Sequence, residues 1–565
     1  MRYPEGVLEA DESLCVGCRI CERTCAYAAI SIEGPLDSKP ANVLPARTPS
    51  PIEGDLGEVQ AGYASLDEAR SAAERCLECP DPSCVWGCPA HNDIPGFIAE
   101  VKAGDLAAAR RALARTSCMP GVCARVCDAG AQCEGACALA LAGGAPVSIK
   151  LLERFAADSA PVDSGSGIKI GDRPLPPLPS AVSVAVVGGG PAGMAAAVWL
   201  LAGGARVELF EMGPELGGVL CWGIPRYALG REVWSPLVKV LEASPGLCLH
   251  TSTQVGQDVD LRELARQHDA VLLAHGASVA PELATPGAEA GGVMDARRFL
   301  EGAGDLWDPH GEICGAELAG KYVLVVGGGD TAMAVSRTAR RLGARVVSIR
   351  RRVRSKAQVR SDELAQALSE GVEVRFGLAL ERIDASGEVV AARLRSAVPR
   401  WRAPVLRSRA ERGPRRQLLA VDMVVAATGF KVDRSIGSGR RGANTAAVTG
   451  SQLGDPSQGS HGPQGLRDLL AASGLGVAGS SDAGGHLALA VLERQAALDA
   501  SKRQCADRLW IAGDALRGPS SVVEAMAQGR EAALEVLRLA AAQDPRDQEI
   551  PELGSASCRD QVPEV

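Results

Sequence analysis

The run Val182-Ser183-Val184-Ala185-Val186-Val187-Gly188-Gly189-Gly190-Pro191-Ala192-Gly193 decides the fold of this chain. Residues 182–187 are apolar, largely β-branched and closed by glycine, the pattern of a buried strand. Gly188, Gly190 and Gly193 form a G-x-G-x-x-G turn, followed by an apolar helix to Leu201 and a second strand at 206–210. Such glycines let the backbone approach a pyrophosphate, which then sits at the helix N-terminus. Glu211 follows the second strand, where a carboxylate can bind a ribose 2′-hydroxyl. The strand, the spacing and the acid together make the motif specific. Residues 182–205 carry no charge and are long enough to span a bilayer, but the glycines and Pro191 at their centre fit strand, turn and helix instead. No membrane span is expected.

The pattern returns at Tyr322. A strand over 322–326, the turn Gly327-Gly328-Gly329-Asp330-Thr331-Ala332, a helix to Leu342 and a strand over 345–349 make a second βαβ unit. Two such units predict an α/β fold with parallel sheets and helices on both faces. The second unit closes on Arg350, Arg351 and Arg352 instead of an acid. Arginine there suits a 2′-phosphate, which favours NADP over NAD, with a solvated basic face as the alternative. Gly327, Gly329, Asp330, Thr331, Arg351 and Arg352 are the candidate contacts.

Around these units lie 565 residues, 46% hydrophobic and 23% charged, enough to bury several cores. A net charge of −8 argues against nucleic acid or an anionic membrane as partner. The first residues are acidic and lack an apolar stretch, so no signal peptide is read and a cytoplasmic location is expected. Of 18 cysteines, 13 fall between Cys15 and Cys137. In a reducing compartment such dense thiols read as metal ligands rather than disulfides.

Cys15, Cys18, Cys21 and Cys25 have the spacing C-x2-C-x2-C-x3-C. Thiolates so spaced converge on the corners of an iron–sulfur cube, with a zinc knuckle as the alternative. The fourth ligand stays open, with Cys25 the local candidate and Cys118 or a partner's residue the others. A second group holds Cys76, Cys79, Cys84, Cys88, Cys127, Cys133 and Cys137, one thiol short of two four-ligand clusters.

The elements Cys76-Leu77-Glu78-Cys79, Trp86-Gly87-Cys88-Pro89, Arg125-Val126-Cys127 and Cys133-Glu134-Gly135-Ala136-Cys137 resemble the N-terminal domain of the glutamate synthase small subunit. Dihydropyrimidine dehydrogenase and the large subunit of bifurcating ferredoxin:NADP oxidoreductases share that domain. The resemblance implies one 4Fe–4S cluster on Cys76, Cys79, Cys84 and Cys137. It implies another on Cys88, Cys127, Cys133 and an oxygen ligand whose family position is Glu153; a solvated helix carboxylate is the alternative. Cys118 and Cys123 read as small buried apolar residues. The paired dinucleotide units also resemble the two-dinucleotide-domain flavoproteins. Gly217-Gly218 and Gly223-Ile224-Pro225-Arg226-Tyr227 look like flavin-side loops, and Ala427-Thr428-Gly429 like the crossover between the two dinucleotide domains. Trp510-Ile511-Ala512-Gly513-Asp514 and the segment from Gly518 through Ser521, Val522 and Ala525 look like the C-terminal FAD segment. The implied FAD contacts are Gly188, Gly190, Ala192, Gly193, Glu211, Gly218, Gly513, Asp514, Ser521 and Val522. His275, Asp330 and Ala357-Gln358-Val359 depart from the family pattern.

The expected organisation is a ferredoxin-like unit at 1–45, a helical double-cluster domain at 60–165, and an FAD domain in two parts, 180–290 and 435–542. An NAD(P) domain occupies 291–434, the Gly- and Ser-rich residues 435–485 form surface loops, and 543–565 form a mobile tail. The resemblance implies an oxidoreductase that moves hydride between NADPH and FAD and single electrons through 4Fe–4S clusters. Its partner would be a ferredoxin or a large catalytic subunit. A glutamate synthase small subunit and a non-catalytic relay with a degenerate NADP site are the alternatives.

Overall fold

The computed structural model describes residues 52–55, 57–159, 182–305, 318–353, 359–386, 389–397, 416–433, 504–506 and 508–542, with isolated positions 21, 22, 30, 175 and 436. Cys15, Cys18, Cys25, Ala357, Gln358, most of the two Pro-rich linkers, the tail and residues 435–485 except Ile436 lie outside them. Ile436, expected in a surface loop, is instead buried against Val255.

The strands are β1 (Ser183–Val187), β2 (Arg206–Phe210), β3 (Leu247–His250), β4 (Ala270–Leu273), β5 (Val293–Asp295), β6 (Tyr322–Gly327) and β7 (Arg345–Arg350). They continue with β8 (Glu373–Phe376), β9 (Leu378–Ser386), β10 (Val389–Ser396), β11 (Arg416–Val421), β12 (Met423–Ala427), β13 (Gln504–Ala506) and β14 (Leu509–Ile511). The first sheet has the order β13-β14-β4-β1-β2-β3 and is parallel apart from the β13 edge. The second, β5-β12-β6-β7-β8, is parallel throughout. Both expected βαβ units are present, and the chain is an α/β protein.

The helix Pro191–Ala202 lies against the first sheet with 10 of its 12 residues buried. It has no polar face because the helix Val522–Ala542 covers its other side. Two glycines permit that contact. A Cβ on Gly203 would stand 2.6 Å from Leu537 Cδ1, and one on Gly529 would stand 2.0 Å from the Ala192 carbonyl oxygen.

The segment before the first sheet is helical, with Leu66–Ala73, Ser83–Gly87, Ile94–Ala103, Leu106–Ala114, Pro120–Val126, Ala138–Leu141 and Ile149–Ser159. Its caps are local chemistry. The Ser65 hydroxyl accepts from the Glu68 amide while the Glu68 carboxylate accepts from Ala64, a capping box. Asp93 and Asp105 cap the next two long helices. Phe97, Leu113 and Leu152 of this segment share one continuous core with Val184, Trp199, Met526 and Leu537. Among the described residues no helix is long and apolar enough to cross a membrane.

One feature was not expected from sequence. β9, β10 and β11 form a separate antiparallel sheet within the NAD(P) region. Its signal was present in β10, where Val390, Ala392 and Leu394 are buried and Arg393 and Arg395 are not. A register shift at Arg393/Leu394 breaks the alternation of the β9–β10 pair.

Candidate functional site

The helical segment gathers the second cysteine group into two places. Cys76, Cys79, Cys84 and Cys137 line one cavity, walled by Leu77, Ile94, Ile98 and Val147. Cys88, Cys127 and Cys133 lie together within electrostatic reach of Glu153. The two sets meet because the Ser83–Gly87 turn abuts the 132–137 loop, where the Ser83 hydroxyl donates to the Ala136 carbonyl at 2.7 Å. Burial pushes the Cys84 thiol up to about 12 and the Cys88 thiol up to about 11. The Cys127 and Cys133 thiols are raised as well, Cys127 first by its hydrogen bond with Cys123 and Cys133 by burial. Thiolates in such pockets need a cationic centre to offset their desolvation, so the donor set fits metal clusters.

Glu153 is 7% exposed, and burial lifts its carboxyl to about 8. A carboxyl in this position is not a solvated surface group. Cys123 is buried against Cys127, and Cys118 lies near Arg530. Of the N-terminal motif only Cys21 is described, as a partly buried free thiol.

The first dinucleotide turn is tightly packed. Glu211 is buried, and its carboxylate accepts from the Gly189 amide at 2.6 Å and from the Gly213 amide at 2.7 Å. Gly218 takes φ +53° and faces Gly190, where a Cβ would stand 2.8 Å from the Gly190 Cα. Ala192 packs under Gly513, whose amide donates to Gln528 Oε1 at 3.0 Å. Asp514 Oδ1 accepts from the Ser520 hydroxyl at 2.6 Å, and the Ser521 hydroxyl bonds Glu524 just before the helix that Val522 opens. The structure therefore brings Gly513 of the C-terminal segment onto the Gly188–Gly193 turn. His275 joins them; its Cα is 2.7 Å from the place a Gly188 Cβ would take. Both its ring nitrogens are buried, and burial lowers its pKa to about 4 against the opposing influence of Asp433.

At the second turn a Cβ on Gly327 would meet the Ala427 carbonyl at 2.1 Å, which places the Ala427-Thr428-Gly429 crossover beside it. Gly329 caps the helix that Asp330 and Thr331 begin. Asp330 accepts from the Arg360 amide at 3.1 Å, and the Arg360 guanidinium reaches the Val126 carbonyl at 3.0 Å, one residue before Cys127. Arg351 and Arg352 are exposed. Arg350 is not: it is 2% exposed, and its three guanidinium nitrogens have no hydrogen-bond partner. The strand registers explain its place. Val187 pairs with Phe210 just before Glu211, and Val326 pairs with Ile349 just before Arg350. Arg350 thus occupies in the second unit the position that Glu211 holds in the first.

Residues 53–164 match the family model for dihydropyrimidine dehydrogenase domain II, a 4Fe-4S cluster domain, and residues 182–446 match pyridine nucleotide-disulphide oxidoreductase. The glutamate synthase [NADPH] small chain of Escherichia coli is 34% identical over 336 residues, covering 57% of this chain and 68% of that one. This chain belongs to the glutamate synthase small-chain family. The small chain of Azospirillum brasilense is 35% identical over 325 residues, covering 56% of this chain and 66% of its own length. A further similar protein is the NADP(+)-dependent formate dehydrogenase subunit beta of Moorella thermoacetica, 34% identical over 52% of this chain and 43% of its own length. The matches therefore take in about two thirds of these small chains and less than half of the formate dehydrogenase subunit.

Asn92, Thr116 and Arg530, which run between the flavin-side helix and Glu153, had no signal in a single sequence.

Proposed function

We propose that the protein is an electron-transfer subunit that oxidises or reduces NADP(H) at its second dinucleotide site and exchanges single electrons with a protein partner. FAD takes both electrons of a hydride and passes them singly to one-electron 4Fe–4S centres. In this reading the Gly188–Gly193 turn and Gly218 bind the pyrophosphate of FAD, Glu211 orients its ribose, and Asp514 holds its ribityl chain. Gly513, Ser521 and Val522 supply backbone contacts at the opposite side. Cys76, Cys79, Cys84 and Cys137 hold one cluster, and Cys88, Cys127, Cys133 and Glu153 hold another. Cys15, Cys18, Cys21 and Cys25 hold a third.

The observation that carries this reading is the packing of the flavin-side helix onto the cysteine domain. Arg530 donates to the carbonyls of Ala90, at 2.9 Å, and Thr116, at 2.5 Å. Ala90 is two residues from Cys88, so the flavin turn and the cysteine cages belong to one packed unit. NADP is favoured over NAD by Arg350, Arg351 and Arg352, which end the strand where the adenosine ribose lies in this fold. The partner is a ferredoxin or a large catalytic subunit such as that of a glutamate synthase, in a reducing, cytoplasmic compartment.

The test is anaerobic. The chain should carry one FAD and about twelve irons, and NADPH should bleach the flavin absorbance. Flavin that stays oxidised under NADPH would make the protein a relay with a degenerate nucleotide site. Zinc in place of iron would end the electron-transfer reading.

A further inference from the structure

We propose that Asn92 is a positioning residue for the Glu153 cluster site, holding the carboxylate in place and raising the reduction potential of the cluster bound there. The inference rests on the reading of Glu153 as a ligand. Asn92 is 3% exposed and lies between Cys88 and the helix Ile94–Ala103. Its side-chain amide donates to Glu153 Oε1 at 3.4 Å. Its backbone N–H faces the Cys88 sulfur, as does that of Ala90. One residue therefore places two donors on two of the four groups in this set.

Its orientation is fixed from the other side. The Thr116 hydroxyl donates to Asn92 Oδ1 at 2.6 Å, which turns the amide nitrogen toward Glu153. Thr116 is in turn held through its carbonyl by Arg530, on the helix that carries the flavin-side residues. The Cys76, Cys79, Cys84 and Cys137 cavity has no such side chain among its lining residues.

A donor on a ligating carboxylate draws electron density from the centre and offsets the charge added on reduction. Without it the reduced state is less favoured and the ligand is less firmly aimed. Asn92→Leu keeps the volume and the backbone N–H but removes the side-chain amide. Thr116→Val removes only the hydroxyl that aims it.

Both variants are to be compared with the parent as anaerobic holoprotein, by redox titration with the clusters resolved by electron paramagnetic resonance. Asn92→Leu should lower the one-electron reduction constant of one cluster by about tenfold, about 59 mV for a one-electron couple, and leave the cluster on Cys76, Cys79, Cys84 and Cys137 unmoved. Thr116→Val should shift the same cluster in the same direction by less. In a Glu153→Cys background the Asn92→Leu shift should shrink, because the carboxylate it acts on is gone. Equal shifts of this cluster and the one on Cys76, Cys79, Cys84 and Cys137, or no shift in Asn92→Leu and Thr116→Val, would overturn the proposal. If Asn92→Leu loses iron, Thr116→Val decides alone. Should Glu153→Cys itself leave every potential and spectrum unchanged, the ligand reading fails; should it shift one cluster while Asn92→Leu does not, only the role of Asn92 fails.

Discussion

Replacing Arg350 by leucine should make the nucleotide-free protein more stable and a poorer binder of NADPH. The guanidinium is sealed from solvent and bonds to no acceptor; it lies over the Phe376 ring, 5.6 Å from its centroid, with the Asp330 carboxylate within electrostatic reach. An unpaired buried charge costs several kcal/mol, and a desolvated cation–π contact returns about 2 kcal/mol of it. Leucine would remove both and still fill most of the aliphatic stem's space beside Gly328. The net gain should be ~1–3 kcal/mol, read as a higher urea midpoint at fixed FAD content without nucleotide. A phosphate on Arg350 would supply charge-assisted bonds of roughly 1.5–3 kcal/mol each. NADPH affinity should therefore fall by about tenfold to a few hundredfold, while NADH, which lacks the 2′-phosphate, should bind as before. Calorimetric titration of both nucleotides measures this directly. A variant that is less stable than its parent and binds NADPH unchanged would show that Arg350 is a structural cation and refute the reasoning.

Three further outcomes are expected. Arg351→Ala with Arg352→Ala should weaken NADPH by about tenfold to several hundredfold and spare NADH, seen in flavin reduction by each; equal losses with both would assign these arginines to a partner surface. Glu370, 1% exposed, bonds Arg337 at 2.8 Å and Arg341 at 2.7 Å, so Glu370→Leu should cost about 3–5 kcal/mol in urea unfolding. Glu208 is held down to about 2, chiefly by its hydrogen bond from His250 and then that from His268. Its depressed value stabilises the fold above its ordinary 4.5 and is lost as pH falls from there toward 2. The parent should therefore lose ~1 kcal/mol more than Glu208→Gln over that window, and parallel curves would exclude the effect.

The residues that could be read in advance were those whose role is local. The Gly188–Gly193 and Gly327–Gly329 turns announce themselves because Gly188, Gly193 and Gly327 each answer a nearby steric demand. Arg350 was harder to weigh against Arg351 and Arg352. β7 is buried along all but its first residue, and a parallel strand covered on both faces shows no alternation to say which arginine points inward. Glu153 was placed by resemblance alone; its neighbours come from three loops and could not be found from helix spacing. The β9–β11 sheet was missed because a register shift at Arg393/Leu394 breaks the period of two.

The Arg530 contact with Ala90 closes a loop of 440 residues. Synthesis runs from the N-terminus at roughly 5–20 residues per second, so this contact cannot form until some tens of seconds after Ala90 has been made. During that interval Cys76, Cys79, Cys84 and Cys88 exist without the helix that later covers their domain. The hydrophobic surface awaiting Met526 and Leu537 is bare for the same time. Timing thus becomes part of the chemistry: thiols that metal must reach are also thiols that oxygen can reach.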